Sequence, residues 1–92
     1  MIKIHIPAPL RAYTEQKKTL ELEGATVAEL LAKLIGVHPD LKPHLYDEGG
    51  IVRRFVNIYV NDEDIRYLDG EKTKLGAGDT VSLVPSVSGG RS

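Results

Sequence analysis

Residues 55–66 read FVNIYVNDEDIR, and this stretch decides the fold. Its first half alternates apolar residues with others at a period of two, which is typical of a strand with one buried face. Asn61 and the acidic run at 62–64 then predict a turn, and residues 65–68 are expected to form short extended structure. The strand is expected to bury Val56, Ile58 and Val60.

Two further stretches of the same kind predict the rest of the sheet. Residues 2–6 alternate isoleucine with polar side chains, and Pro7 ends the run because proline cannot donate to a sheet ladder. Residues 19–23 alternate again and stop at Gly24, so the first two strands read as a hairpin with a long loop. Residues 80–84 predict the last strand. The expected inward residues of these strands are Ile2, Ile4, Ile6, Leu20, Leu22, Val81 and Leu83.

Residues 26–36 carry the clearest helix signal. Thr26 and Glu29 make a capping box at its start, and Gly36 is expected to end it as a left-handed C-cap residue. The order strand, strand, helix, strand, short strand, strand predicts an α+β domain. The helix is expected to cover the sheet with one apolar stripe, formed by Val27, Leu30, Leu31, Leu34 and Ile35.

The composition excludes several kinds of function. Twelve basic and thirteen acidic residues give a net charge near −1, without the clustered positive face that nucleic-acid binding needs. The absence of cysteine excludes a disulfide framework, a thiolate nucleophile and a cysteine-ligated metal. The histidines have no metal-ligand spacing, and no serine has a histidine at a recognisable motif spacing. We therefore expect neither catalytic residues nor a metal. Since no apolar run reaches the length of a membrane span and no signal pattern is present, we expect a cytoplasmic protein.

The chain ends PSVSGGRS at residues 85–92, a composition unlike the rest. Ser88, Gly89 and Gly90 are small, and the two glycines have no Cβ, so this end can thread where a side chain would clash. A flexible tail at 86–92 could therefore carry the Gly90 carbonyl group into the active site of another enzyme. The alternative is a linker or a vector-derived end, because Gly/Ser stretches are common in both.

Together these stretches resemble the β-grasp fold of ubiquitin and of the prokaryotic sulfur carriers of the MoaD and ThiS type. The closest resemblance is to the CysO-type carriers of cysteine biosynthesis. It is most specific in residues 55–66, in the turn and strand at 78–81, and in the stem 83–85 that leads to Gly89-Gly90; Leu10-Arg11 is also similar. The resemblance implies a mixed sheet of four to five strands covered by one main helix, with the domain at 1–85 and the tail after it.

The resemblance also implies partners and cofactors. In this family a ubiquitin-activating-type enzyme, MoeB-like or ThiF-like, uses ATP to adenylate the terminal glycine carboxylate, and sulfur then replaces AMP to leave a thiocarboxylate. Gly90 would be that site, and the chain would be a protein co-substrate with no bound cofactor. In the CysO-like branch, a cysteine synthase with pyridoxal phosphate accepts the sulfur, and a metallopeptidase releases cysteine. MoaD-like carriers supply molybdopterin, ThiS-like carriers supply the thiazole of thiamine, and related ones serve secondary metabolism, so the final acceptor stays open.

Arg91-Ser92 departs from the family pattern. Gly90 has no free carboxylate while these residues follow it, so the chain as written is expected to be an inactive precursor. A peptidase removes the two residues, or they are a cloning remnant; the sequence leaves both open. Two other functions also remain open: a protein modifier joined to lysines through Gly90, and a non-covalent β-grasp interaction domain whose tail has no role.

A surface for the activating enzyme can also be predicted. If one face of the 55–60 strand is buried, Phe55 and Tyr59 point to the other face. Val84 on the last strand and Val87 in the stem are expected to extend these two residues into an exposed apolar patch, and such patches mark partner surfaces. The alternative places Phe55 or Tyr59 under the segment 38–50.

Overall fold

The structure is a computed structural model and describes residues 1–85. The tail predicted at 86–92 lies outside these residues, and Val87, Ser88, Gly89 and Gly90 lie outside with it. Within residues 1–85, five strands form one sheet in the order β2-β1-β5-β3-β4. The strands are β1 (Ile2–His5), β2 (Thr19–Leu22), β3 (Val56–Val60), β4 (Glu63–Asp64) and β5 (Thr80–Pro85).

The sheet is mixed, as predicted. β5 is its middle strand and pairs in parallel with β1 and antiparallel with β3. The other two pairs, β1 with β2 and β3 with β4, are antiparallel. The hairpin predicted for the first two strands is therefore confirmed. All the isoleucines, valines and leucines predicted to point inward on β1, β3 and β5 are buried, and the two leucines of β2 are half-buried against the core.

Helix α1 (Val27–Val37) covers one face of the sheet. Its cap is the predicted one: the Glu29 amide donates to Thr26 Oγ1 at 3.2 Å, while the Ala25 amide donates to Glu29 Oε1 at 3.3 Å. These bonds satisfy amides that a helix start otherwise leaves without partners. The apolar stripe follows the prediction, with four residues buried in the core and Ile35 half-buried.

The predicted end of α1 is wrong. Gly36 is helical and does not adopt a left-handed conformation. The helix ends one residue later, and His38 caps it by donating its amide to the Leu34 carbonyl oxygen at 2.8 Å. His38 leaves helical geometry because Pro39 follows it, and a residue before proline is disfavoured in the α region.

The region 61–68 also differs from the prediction. Asn61 and Asp62 both have positive φ, at 51° and 74°, and make a two-residue hairpin turn. Because this turn is so tight, Glu63 and Asp64 pair with Val60 and Tyr59 as strand β4 and are not part of the turn. Residues 65–67 form a 3-10 helix, not extended structure, because the Asp64 carboxylate caps the Arg66 amide.

Three short helices gather at the end of the sheet where β5 finishes. The expected loop after β1 is a 3-10 helix (Ala8–Tyr13), and a second 3-10 helix (Pro39–Leu41) runs into α2 (Lys42–Leu45). The Tyr13 ring stacks on the His44 ring with centroids 4.2 Å apart, which joins the first of these helices to α2. None of the helices between residues 1 and 85 has the length and apolar character that a membrane crossing needs.

Candidate functional site

The tail is attached to the best-supported strand of the sheet. β5 has a partner on each side: β1 pairs with residues 80–82 and β3 with residues 81–85. The strand ends at Pro85, which lies opposite Val56. Gly90 follows five residues later, and five extended residues span at most about 17 Å. The domain therefore holds the last described strand from both sides.

The sheet face opposite α1 is called here the open sheet face. Its outward residues alternate with the buried ones, as the pleat requires. Tyr59 lies opposite Ser82 and on the diagonal from Val84, and Val84 lies directly opposite Asn57. Val84 is 43% exposed, and Tyr59 is half-buried. The structure thus brings Tyr59 and Val84 together as predicted. The face is formed by Lys3, His5, Asn57, Tyr59, Ser82 and Val84.

Phe55 is placed differently from the prediction. It precedes β3 instead of belonging to it, because residues 53–56 form a turn in which the Val56 amide donates to the Arg53 carbonyl oxygen at 3.0 Å. Phe55 is 45% exposed and lines a groove with Pro43 and His44. It therefore lies beside the 38–50 segment and not under it, so neither interpretation of Phe55 is right, whereas Tyr59 lies on the open sheet face.

One edge of the open sheet face carries an ionic cluster that the sequence analysis did not identify. The Arg66 guanidinium donates to the Asp64 carboxylate at 2.7 Å and also to Asn57 Oδ1. The hydrogen bonds from the Arg66 side chain and amide hold the pKa of Asp64 below its usual value. The cluster fixes Asn57 beside Val84. A signal was available: Asp64 and Arg66 are two residues apart, the spacing at which a capping carboxylate accepts from a backbone amide.

A second polar cluster ties the β3–β4 turn to the turn before β5. Asn61 Nδ2 donates to one oxygen of Asp79 at 2.9 Å, and the Gly76 amide donates to the other at 2.8 Å. The Thr80 amide donates to Asn61 Oδ1 at 3.0 Å. The bond from Gly76, and then that from Asn61, lowers the pKa of Asp79. This cluster sets where β5 begins and so helps to fix the strand that leads to the tail.

Between residues 1 and 85, no three histidine, aspartate or glutamate side chains come together in a way that could hold a metal ion. What the structure offers instead is a partly apolar surface next to a firmly held strand end. Such an arrangement suits a protein that another enzyme recognises and modifies.

The profile of the ThiS family matches residues 4–90 of this sequence. The chain belongs to the ThiS family. The sulfur carrier protein CysO of Mycobacterium tuberculosis is 36% identical over 91 residues, which cover 97% of this chain and 98% of CysO. Small archaeal modifier protein 3 of Haloferax volcanii is 37% identical over 68 residues, or 74% of this chain and 73% of that one. A chain in the crystal structure of the Amycolatopsis orientalis BexX/CysO complex matches with a TM-score of 0.89 and 38% identity, covering 98% of this chain and 100% of that chain.

These matches confirm the predicted resemblance and the β-grasp fold of this ThiS-family chain. Its relatives are named as carrier or modifier proteins, which agrees with the prediction that the chain is a small carrier and not an enzyme. The family match includes Gly89-Gly90 and stops before Arg91-Ser92. The site roles predicted for Ser88, Gly89, Gly90 and Val87 fall outside the described residues and stay predictions.

Proposed function

We propose that this chain is a sulfur carrier that delivers sulfur from a thiocarboxylate on Gly90. The observation that carries the proposal is the position of β5 in a ThiS-family chain. The middle strand of the sheet ends at Pro85, five residues before Gly90. A carrier needs a reachable terminal glycine and a stable domain that a partner can recognise, and it needs no catalytic side chains of its own.

The reaction takes two steps, both performed by an adenylating enzyme of the ubiquitin-activating type. The Gly90 carboxylate oxygen attacks the α-phosphorus of ATP, and pyrophosphate leaves. A hydrosulfide ion then attacks the Gly90 carbonyl carbon, AMP leaves with the carboxylate oxygen, and the sulfur loses its proton to leave the thiocarboxylate. Adenylation is needed because a free carboxylate is a poor electrophile. Gly89 and Gly90 suit the narrow entry to such a site because neither residue carries a Cβ.

We propose the open sheet face as the surface that the adenylating enzyme recognises. Val84 is exposed there and Tyr59 is half-buried, and both lie on the strands nearest the tail. Phe55 precedes β3 and lies beside the 38–50 segment, so it is left out of this surface. An apolar patch next to a tail base lets one partner hold the domain and receive the tail together.

We propose that the carried sulfur is used to make cysteine. The support is the similarity to a protein named as the sulfur carrier CysO over nearly the whole chain. The acceptor would then be a cysteine synthase with pyridoxal phosphate, in which the carrier sulfur adds to an activated serine. A metallopeptidase would release the product and regenerate the carrier. Transfer to molybdopterin, to thiamine thiazole or to a secondary metabolite is the alternative.

The carboxylate of Gly90 must first be freed. We propose that a peptidase removes Arg91-Ser92, which lie beyond the residues that match the family. Incubation of chains 1–90 and 1–92 with the adenylating enzyme, ATP and sulfide tests the idea. Intact mass should show exchange of one oxygen for one sulfur in chain 1–90 alone. Chain 1–88, which keeps the whole domain, is the matched control and should gain no sulfur. Efficient adenylation of the 92-residue chain would refute the precursor proposal.

A second function is a protein modifier joined to lysine side chains through Gly90. The similarity to small archaeal modifier protein 3 favours it. Both functions begin with adenylation of Gly90. They differ in the nucleophile that then attacks the activated carbonyl carbon, which is sulfur for a carrier and a lysine amine for a modifier. The mass of protein isolated from native cells separates them, because a carrier gains only sulfur whereas a modifier forms covalent adducts of higher mass.

A further inference from the structure

A pocket opens beside the first half of strand β3, and it is called here the edge pocket. Strand β4 pairs with Tyr59 and Val60 and reaches no further along β3, because the chain turns into the 3-10 helix at Ile65–Tyr67. A second 3-10 helix (Gly70–Lys72) follows, and the turn at 53–56 also contributes to the lining. These elements leave a space of about 600 Å³ where a longer β4 would otherwise lie.

The edge pocket has an apolar floor. Val56, Ile58 and Ile65 line it, and each of them is 8% exposed or less. Val52 is half-buried beside them and packs against the same core. Because the hydrophobic core holds these side chains in place, the floor is already formed. An apolar side chain of a ligand would gain there by leaving water.

The rim of the edge pocket carries positive charge. Three arginines and two acidic residues line it, in a chain whose net charge is −1. Arg66 is already occupied, because the Asp64 carboxylate and Asn57 Oδ1 accept its hydrogen bonds. Among residues 1–85, neither Arg53 nor Arg54 has an ion-pair partner. The two free positive charges of the pocket are therefore those of Arg53 and Arg54.

The surroundings of these two arginines leave their charges available. Arg53 Nε donates to the Pro43 carbonyl oxygen at 2.8 Å, which orients the side chain but does not neutralise it, and Arg54 is exposed. Glu71 lines the same pocket but lies near Tyr46, where its charge adds to the effect of burial and raises the pKa of the tyrosine. A guanidinium presents a planar set of donors that fits a carboxylate.

We propose that the edge pocket is the docking site for a segment of a partner protein in which an apolar side chain lies next to acidic side chains. The apolar side chain rests on the floor, and the carboxylates accept hydrogen bonds from Arg53 and Arg54. The site uses the buried side of β3, at Val56 and Ile58, whereas the open sheet face uses Tyr59. A protein bound in the edge pocket can therefore differ from the enzyme that recognises the open sheet face.

Titration of the isotope-labelled 92-residue chain with the peptide acetyl-Gly-Glu-Leu-Glu-Glu-Gly-amide, followed by amide resonances, tests the docking. Resonances of the pocket residues should shift, while those of Ser82 and Val84 on the open sheet face should stay in place. The same peptide with glutamine for each glutamate should bind about two- to fivefold more weakly for each ion pair lost. The peptide with alanine for leucine should bind about tenfold more weakly. The test needs no activation of Gly90, so it is independent of the sulfur-carrier proposal.

Three variants of the chain report the charges directly. Arg54→Gln should weaken binding of the acidic peptide about two- to fivefold, and Glu71→Gln should strengthen it because a like charge is removed from the rim. Lys33→Gln is the matched control for Arg54→Gln, since Lys33 is exposed on α1, away from the pocket, and it should leave binding unchanged. Thermal unfolding confirms that each variant is folded.

Four results would overturn the proposal. The first is a titration in which no pocket resonance shifts, and the second is equal binding of the acidic peptide and its glutamine form. The third is equal weakening by Arg54→Gln and Lys33→Gln. The fourth is the same set of shifts from free glutamate, which would make the pocket a site for small carboxylates, or from a rise in protein concentration alone, which would make a second copy of this chain the occupant.

Discussion

Replacement of Val84 by serine should weaken recognition by the adenylating enzyme without affecting the chemistry at Gly90. Val84 is 43% exposed on the open sheet face. Full burial of a valine side chain stabilises by about 1.5–3 kcal/mol, so covering its exposed fraction contributes about 0.6–1.3 kcal/mol. Since about 1.4 kcal/mol corresponds to a tenfold change, Val84→Ser should raise the dissociation constant about three- to ninefold.

Val37→Ser is the matched control. It removes the same atoms from a valine that is 56% exposed, but Val37 ends α1, which covers the opposite face of the sheet. Titration calorimetry of the adenylating enzyme with the 92-residue chain and both variants measures the effect, and thermal unfolding confirms that each variant is folded. The uncleaved chain is suitable, because docking on the sheet face does not require a free Gly90 carboxylate.

The result that would refute the reasoning is a Val84→Ser chain that binds as tightly as the unaltered one. Equal weakening by Val84→Ser and Val37→Ser would also refute it, because the loss would then reflect a general property of the chain. Loss of binding only in the Val84 variant, with an unchanged unfolding temperature in both, would support the open sheet face as the recognised surface.

Three other outcomes are expected. Tyr59→Asp should weaken binding to the adenylating enzyme more than Val84→Ser, because it places a charge on the same face; calorimetry measures it, and unchanged affinity contradicts it. Thr26→Ala should cost about 1 kcal/mol and lower the melting temperature by about 4–8 °C, while Thr26→Ser should retain the cap. Stability should fall as pH drops from about 4, because the folded-state pKa values of Asp64 and Asp79 are lowered and their contribution is lost as pH falls through those values. Asp79→Asn should flatten that fall in acid titrations followed by circular dichroism.

The strands and the main helix could be predicted because burial imposes a period on the sequence. Every second residue of β1, β3 and β5 is apolar, and the stripe on α1 recurs at helical spacing. The short strand before β5 was expected at 65–68 and lies at Glu63–Asp64, because a strand of two residues shows no period that would fix its bounds. The prediction that Gly36 ends the helix was wrong because glycine allows a left-handed cap but does not require one. The end of the helix is set by Pro39, which follows His38.

The candidate site also has features that the sequence predicts and features that it does not. The role of Gly89-Gly90 rests on residue type, because threading into an active site depends on the missing Cβ, and it stays a prediction. The position of Phe55 could not be predicted from the sequence, because it depends on a backbone hydrogen bond between Val56 and Arg53. That bond does not change the alternation of apolar and polar residues. The cluster of Asn57, Asp64 and Arg66 likewise depends on a tight turn that returns β4 to β3.

The alternation at the end of β5 gives the carrier two separate surfaces next to the tail base. Leu83 and Pro85 line one groove with Phe55 and His44, while Val84 between them faces the open sheet face. A partner can therefore bind the open sheet face without occupying that groove. Because β5 is held by β1 and β3, pulling on the tail loads the middle of the sheet and not an edge, and the domain can stay folded. A change at Val84 should thus alter affinity for the partner and leave the unfolding temperature unchanged. If Val84→Ser also lowered the unfolding temperature, the separation of recognition from stability would be wrong.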